Sequence, residues 1–204
     1  MNDWTIFASG PSGHDVSDDL EGHTVVCVNT AITYTPLHLV DIYFFHARCY
    51  HWMIPDLLTR GIKLVSFHDT PGMRLGRNPP AWLPQVEVLR TTRDPGWTVD
   101  RDDPQTVKWE RGQYSPAKDP VGPSAVQYAI NNGARTIHIR GMEGGDRLPD
   151  GSIPKSHAWA ARYHRAILQA CVDACPDVDF VHYGDPLFRL EGENVRMTQC
   201  QPGA

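Results

Sequence analysis

Short apolar, β-branched runs alternate along the chain with segments whose apolar positions recur at helical spacing. Trp4-Thr5-Ile6-Phe7-Ala8 predicts a first strand and Thr24-Val25-Val26-Cys27-Val28 a second. The second run is almost continuously apolar, the pattern of a strand covered on both faces. A third strand is expected over 40–45, where Asp41 interrupts an apolar run. Residues 48–59 predict a helix that Pro55 breaks or kinks. Ile62-Lys63-Leu64-Val65-Ser66-Phe67 predicts a fourth strand, closed by Asp69-Thr70-Pro71-Gly72, and Val86-Glu87-Val88-Leu89 a fifth.

Residues 93–122 lose this regularity and hold four prolines. A structureless stretch of that length is uncommon inside a domain, so it reads as a functional lid or an insertion. Periodicity returns in a helix from Ser124 to Asn132, with Gly133 as its stop. Thr136-Ile137-His138-Ile139 predicts a strand ending at Gly141. A polar, Gly-rich loop over 143–154 follows, then a long helix over 157–174 with Ser156 placed to cap it. Val178 to Tyr183 predicts a last strand, and the chain from Pro186 reads as loosely attached. Strands separated by helices imply an α/β sandwich with a mostly parallel sheet. Such sheets bind ligands beyond the carboxyl ends of their strands, near the point where the strand order reverses. That directs attention to the loops after residues 8, 29, 46, 68 and 141.

Composition sharpens the picture in three places. Seventeen Gly and seventeen Pro in 204 residues imply many loops, and much of this excess falls in the Gly-Pro-Ser tripeptides at 10–12 and 122–124, in 93–122 and in 143–154. A net charge of −5 removes the basic stripe that nonspecific nucleic-acid binding needs. The five cysteines form no Cys-x-x-Cys, and the N-terminus lacks a basic, then apolar, leader pattern. A reduced, cytoplasmic protein without membrane attachment is therefore expected. Cys171 and Cys175, four apart on a helix, read as one packed face rather than a metal pair.

The candidate chemistry begins where the first strand empties into Ala8-Ser9-Gly10-Pro11-Ser12-Gly13. Gly10 permits close backbone approach, and Ser12 and the following amides offer donors to a phosphate; a plain tight turn is the alternative. Asn29 ends the second strand, where dinucleotide folds meet a ribose or base, and offers a donor and an acceptor without charge.

These residues resemble a superfamily of Rossmann-like transferases. It includes bacterial sialyltransferases that use CMP-sialic acid, the 6-hydroxymethylpterin pyrophosphokinase-like proteins, and phage relatives. The likeness is carried by Gly10-Pro11-Ser12, by Val28-Asn29-Thr30-Ala31 and by the Asp41-containing strand. Pro123-Ser124-Ala125 through Gly133, and the strand ending Arg140-Gly141-Met142-Glu143, carry it in the second half. It covers roughly residues 4–46 and 122–145. It implies a nucleotide-binding set of Ser9, Gly10, Pro11, Ser12, Asn29, Thr30, Gly141 and Glu143. Ser9 stands where the family loop commonly has Asn, and His46 where an acid often ends the third strand.

The resemblance further implies one Rossmann-like domain over 1–190, with the insertion at about 93–122, and a C-terminal tail over 191–204. A bacterial or phage glycosyltransferase is expected, taking a nucleotide-sugar donor to an acceptor hydroxyl on a glycan, a metabolite or a modified nucleobase. A transfer of this kind needs a base for the attacking hydroxyl, for which a late histidine, His157, is the first candidate and His46 the second. Lys155 and Arg162 are candidate phosphate partners. Two rivals stand beside this reading. One is a pyrophosphokinase-like enzyme using ATP, with Mg²⁺ held by Asp41, Glu143 and Asp146; the other is an inactive nucleotide-binding module.

Overall fold

Eight strands form one sheet in the order β5-β4-β3-β2-β1-β6-β7-β8, and every neighbouring pair is parallel. The strands are β1 (Asp3–Phe7), β2 (His23–Val28), β3 (Ile42–Phe44), β4 (Lys63–Phe67), β5 (Val86–Leu89), β6 (Thr136–Arg140), β7 (Asp179–Tyr183) and β8 (Val195–Thr198). Among the described residues three α-helices accompany them: α1 (Ile54–Thr59), α2 (Val121–Asn131) and α3 (Lys155–Ala174). The computed structural model describes residues 2–16, 20–45, 51–67, 81–90, 107–114, 121–142, 155–184 and 189–198, apart from the side chains of Pro11, His51, Phe67 and 155–163. The architecture is Rossmann-like α/β, and the sheet is parallel throughout rather than mostly so.

The apolar runs explain the layering. Ile6, Val26, Val28, Ile42 and Phe44 bury one face of the sheet beneath α2 and α3. Phe7, Val25, Cys27, Tyr43, Phe45 and Leu64 bury the other around α1 and the turn after β2. Consecutive residues of β2 thus enter different cores, which is why its sequence does not alternate. Helix α2 is buried from Val121 to Ile130. A helix apolar all round is one enclosed on several sides, here by the sheet, α3 and residues 107–114.

Two helices stop by the same device. In α2, Gly133 at φ 81° lets its own amide reach Ile130 and that of Ala134 reach Ala129. In α1, Gly61 at φ 76° does the same toward Leu58 and Leu57. Both are Schellman endings, which need a left-handed residue after the helix.

Several expectations are corrected. Pro55 lies in the first turn of α1, where its missing N–H costs nothing, so it starts the helix rather than kinks it. Helix α2 begins at Val121 and takes Gly122-Pro123-Ser124 into its first turn, so the second Gly-Pro-Ser is helical and not a loop. A Cβ on Gly122 would meet the Met142 sulfur at 3.1 Å, so a larger residue there requires that side chain to shift by a few tenths of an ångström. The segment from Pro186 is not loosely attached along its length. Val195–Thr198 adds to β7 as the eighth strand, and Leu190 is buried in the core. Of the stretch 93–122, residues 107–114 lie against the carboxyl end of α2. Trp109 is 4% exposed, the Asn131 side chain bonds Gly112 and Gln113, and Arg111 pairs with Asp177. This places 107–114 at the amino ends of the strands, away from the expected ligand edge.

Candidate functional site

The strand order reverses between β1 and β6. From β1 the chain builds outward to β5, then returns through α2 to β6 on the other side of β1. The loops leaving these two strands are joined through their backbones. Ala8 donates to the Arg140 carbonyl at 2.9 Å and Gly10 to the Gly141 carbonyl at 2.8 Å. Gly141 has φ 74°, and a Cβ there would stand 2.1 Å from the Ala8 carbonyl oxygen. A Cβ on Gly13 would meet the same oxygen at 2.0 Å. Both positions therefore admit only glycine, because the obstacle is backbone and cannot rotate away.

Ser12 is buried in the single 3-10 turn of residues 11–14 that Pro11 opens. Its hydroxyl accepts the Gly141 amide at 2.6 Å and donates to the Tyr183 carbonyl at 3.1 Å. These bonds tie the ends of β1, β6 and β7 together, so the hydroxyl expected to face a phosphate has a structural task. Ser9, by contrast, is exposed at the loop's start.

Asn29 has φ 49°, the one non-glycine residue with positive φ among those described. Asn tolerates this left-handed region better than other side chains, and strained positions gather at ligand sites. The β1–β2 pairing ends at Phe7↔Cys27, and Ser9 and Asn29 each lie two residues beyond it, at the carboxyl edge. Asn29, Ser9, Gly10 and Gly141 therefore stand along adjoining ends of β2, β1 and β6. Thr30 follows in the 3-10 turn of residues 29–33, its carbonyl accepting the Thr33 hydroxyl at 2.8 Å. Tyr34 closes that turn and donates its hydroxyl to the Ala8 carbonyl at 2.5 Å. The exposed His14 ring stacks on the Tyr34 ring with centroids 3.9 Å apart.

The other candidates are placed less fully. His46, Glu143 and Asp146 lie outside the described residues. His157 stands in the first turn of α3 with Lys155, and Arg162 lies further along; their side chains are outside the description. Asp41 is corrected outright. It precedes β3, accepts the Val25 amide at 2.8 Å, and so sits at the amino edge of the sheet, opposite Gly10 and Gly141. It does not fit a metal site beside the Gly10 loop. Among the described residues no three His, Cys, Asp or Glu side chains are grouped to hold a metal. No helix among them is long and apolar enough to cross a membrane.

One polar constellation escaped the sequence reading. On the sheet face of Phe7, His23 meets Thr5 at 2.9 Å, and His138 meets the Tyr183 hydroxyl at 3.1 Å. The two imidazoles lie 5.1 Å apart between centroids, flanking β1. The Arg140 guanidinium lies 3.7 Å from the centre of the Tyr183 ring and donates to the Asp15 carbonyl at 2.6 Å. Burial lowers the proton affinity of His138, and the neighbouring His23 and Arg140 lower it further. Its signal was present in β6, where Thr136, His138 and Arg140 alternate with isoleucine. Such period-two polarity marks one polar face on an inner strand. No family model, curated protein or solved structure matches the chain, so the site is read from its own geometry.

Proposed function

We propose that the protein is a nucleotide-dependent transferase whose donor nucleotide lies across the carboxyl ends of β2, β1 and β6. The observation that carries this reading is the meeting of Gly10 and Gly141, at 2.8 Å, at the switch point, with Asn29 in a left-handed conformation on the adjoining strand. Open parallel sheets bind nucleotides in the crevice at such a switch point. Asn29 would read a base edge or a ribose hydroxyl with its uncharged amide.

The transferred group, on the strength of the resemblance at Gly10-Pro11-Ser12 and Asn29, is a sugar. The acceptor hydroxyl oxygen bonds to the anomeric carbon as the bond from that carbon to the nucleotide phosphate oxygen breaks. The hydroxyl proton passes to a base, for which His157 at the start of α3 is the candidate, and the nucleotide departs with the bonding electron pair. The ATP-dependent alternative loses support with Asp41, whose carboxylate is engaged at the far edge of the sheet.

The test is thermal shift with CMP, UDP, GDP, ADP and their sugars on the wild type and Asn29→Gly. Glycine keeps the left-handed backbone and deletes the side-chain amide. A ligand at about 100 times its Kd raises wild-type stability by about 2.7 kcal/mol. The reading fails if no nucleotide shifts the wild type, or if Asn29→Gly shifts equally.

A further inference from the structure

From the loop geometry we infer that His14, backed by Tyr34, is the stacking surface for the base of the bound nucleotide. This rests on the nucleotide reading above and adds the contact that recognises the base.

Three constraints fix His14 where it stands. Tyr34 is anchored by its 2.5 Å hydrogen bond to the carbonyl of Ala8, the residue that ends β1. Gly13 lies so close that an added Cβ would come within 3.2 Å of the Tyr34 hydroxyl and 2.0 Å of the Ala8 oxygen. The next residue, His14, is thereby led onto the Tyr34 ring, at 3.9 Å and 23° between planes. The stack joins the loop after β1 to the turn after β2. These are the two loops that carry Gly10 and Asn29.

The imidazole is nonetheless exposed. An aromatic ring held in one orientation by a neighbour, yet left open to solvent, is pre-ordered for a second flat partner. Bases of every kind have a π-face, so such stacking contributes affinity without demanding one base. Asn29 opens the turn that Tyr34 closes, so an amide for the base edge and a ring for the base face belong to one local structure. In this arrangement His14 acts through its ring face, and its nitrogens take no part in proton transfer.

Titration calorimetry with CMP, UMP, AMP and GMP on wild type, His14→Ala and His14→Phe tests the assignment. His14→Ala should bind the tightest of the four about tenfold more weakly, in line with the loss of one base stack. His14→Phe should bind within about twofold of wild type, because the face is kept. Melting without ligand should fall by no more than a few degrees in His14→Ala, which loses the ring stacked on Tyr34, and by less in His14→Phe, which keeps one. Unaltered affinity in His14→Ala overturns the proposal, as does a Phe variant no better than Ala. Either result leaves the nucleotide reading standing. If wild type binds none of the four, the nucleotide reading falls and the stacking role with it.

Discussion

The hydroxyl of Ser12 receives the amide of Gly141 at 2.6 Å, across most of the length of the chain. It also donates to the Tyr183 carbonyl, so one side chain holds three loops at the sheet's ligand edge. Ser12→Ala leaves the Gly141 amide buried without that acceptor. The expected cost is about 1–3 kcal/mol in urea unfolding. A cost near zero would mean that the loops hold together without it.

Gly141→Ala should be far more damaging than Gly22→Ala. Both glycines have positive φ, at 74° and 79°. Only at Gly141 does a Cβ strike backbone, the Ala8 oxygen at 2.1 Å; around Gly22 nothing lies within 4 Å. The Gly22 variant should lose about 1 kcal/mol from the left-handed conformation alone. The Gly141 variant should lose at least about 4 kcal/mol, measured by chemical denaturation. Equal losses would show that the β1–β6 junction relaxes easily.

Acid should destabilise the fold through His182. The ring is fully buried, and burial pulls its pKa down to about 4. The unfolded chain regains an ordinary value of about 6.5, so between these values it binds more protons than the folded one. Stability is therefore complete above about pH 6.5 and declines as pH falls toward about 4. The eventual loss is about 3 kcal/mol from this group. His164 is shifted the same way by burial, also to about 4. Urea midpoints at about pH 7 and about pH 5 should differ accordingly, and His182→Phe should remove about half of the difference, the share of His164 remaining.

Native cysteine labelling should spare Cys27, Cys171 and Cys175. All three are buried, and burial pushes the Cys27 thiol up to about 12 and raises Cys171 as well. The thiolate is the reactive form, so modification waits on unfolding. Mass spectrometry after maleimide treatment, with and without denaturant, reads this directly. Rapid native labelling of any of the three would contradict the packing.

Much of the sheet was legible because inner parallel strands bury both faces and read as continuous apolar runs. The inner strand β2 differs from expectation by one residue; the edge strand β5, half exposed, also coincides with the expected Val86–Leu89. Strand β8 escaped notice for the converse reason. Its four residues alternate between half-buried and exposed at an edge, with only Val195 and Met197 apolar. At the candidate site, Asn29 and Gly141 stand at positive φ, which their residue types favour, whereas Gly10 is in ordinary extended backbone. The use of the Ser12 hydroxyl, the engagement of Asp41 with Val25 and the His23–His138 pair were not legible. Each depends on strand register, which local pattern does not encode.

The position of β1 has a consequence for the order in which the molecule can be assembled. Residues 3–7 are made before the other seven strands of the sheet, yet they end as an interior strand whose second neighbour is residues 136–140. While the chain is being synthesised, β1 to β5 can pair in sequence, but one edge of β1 stays open until β6 arrives. Contacts between such distant segments slow folding, and an open apolar edge invites association with other chains. The joining of Gly10 to Gly141 is therefore a late event, and the ligand crevice exists only once the two halves of the sheet have met.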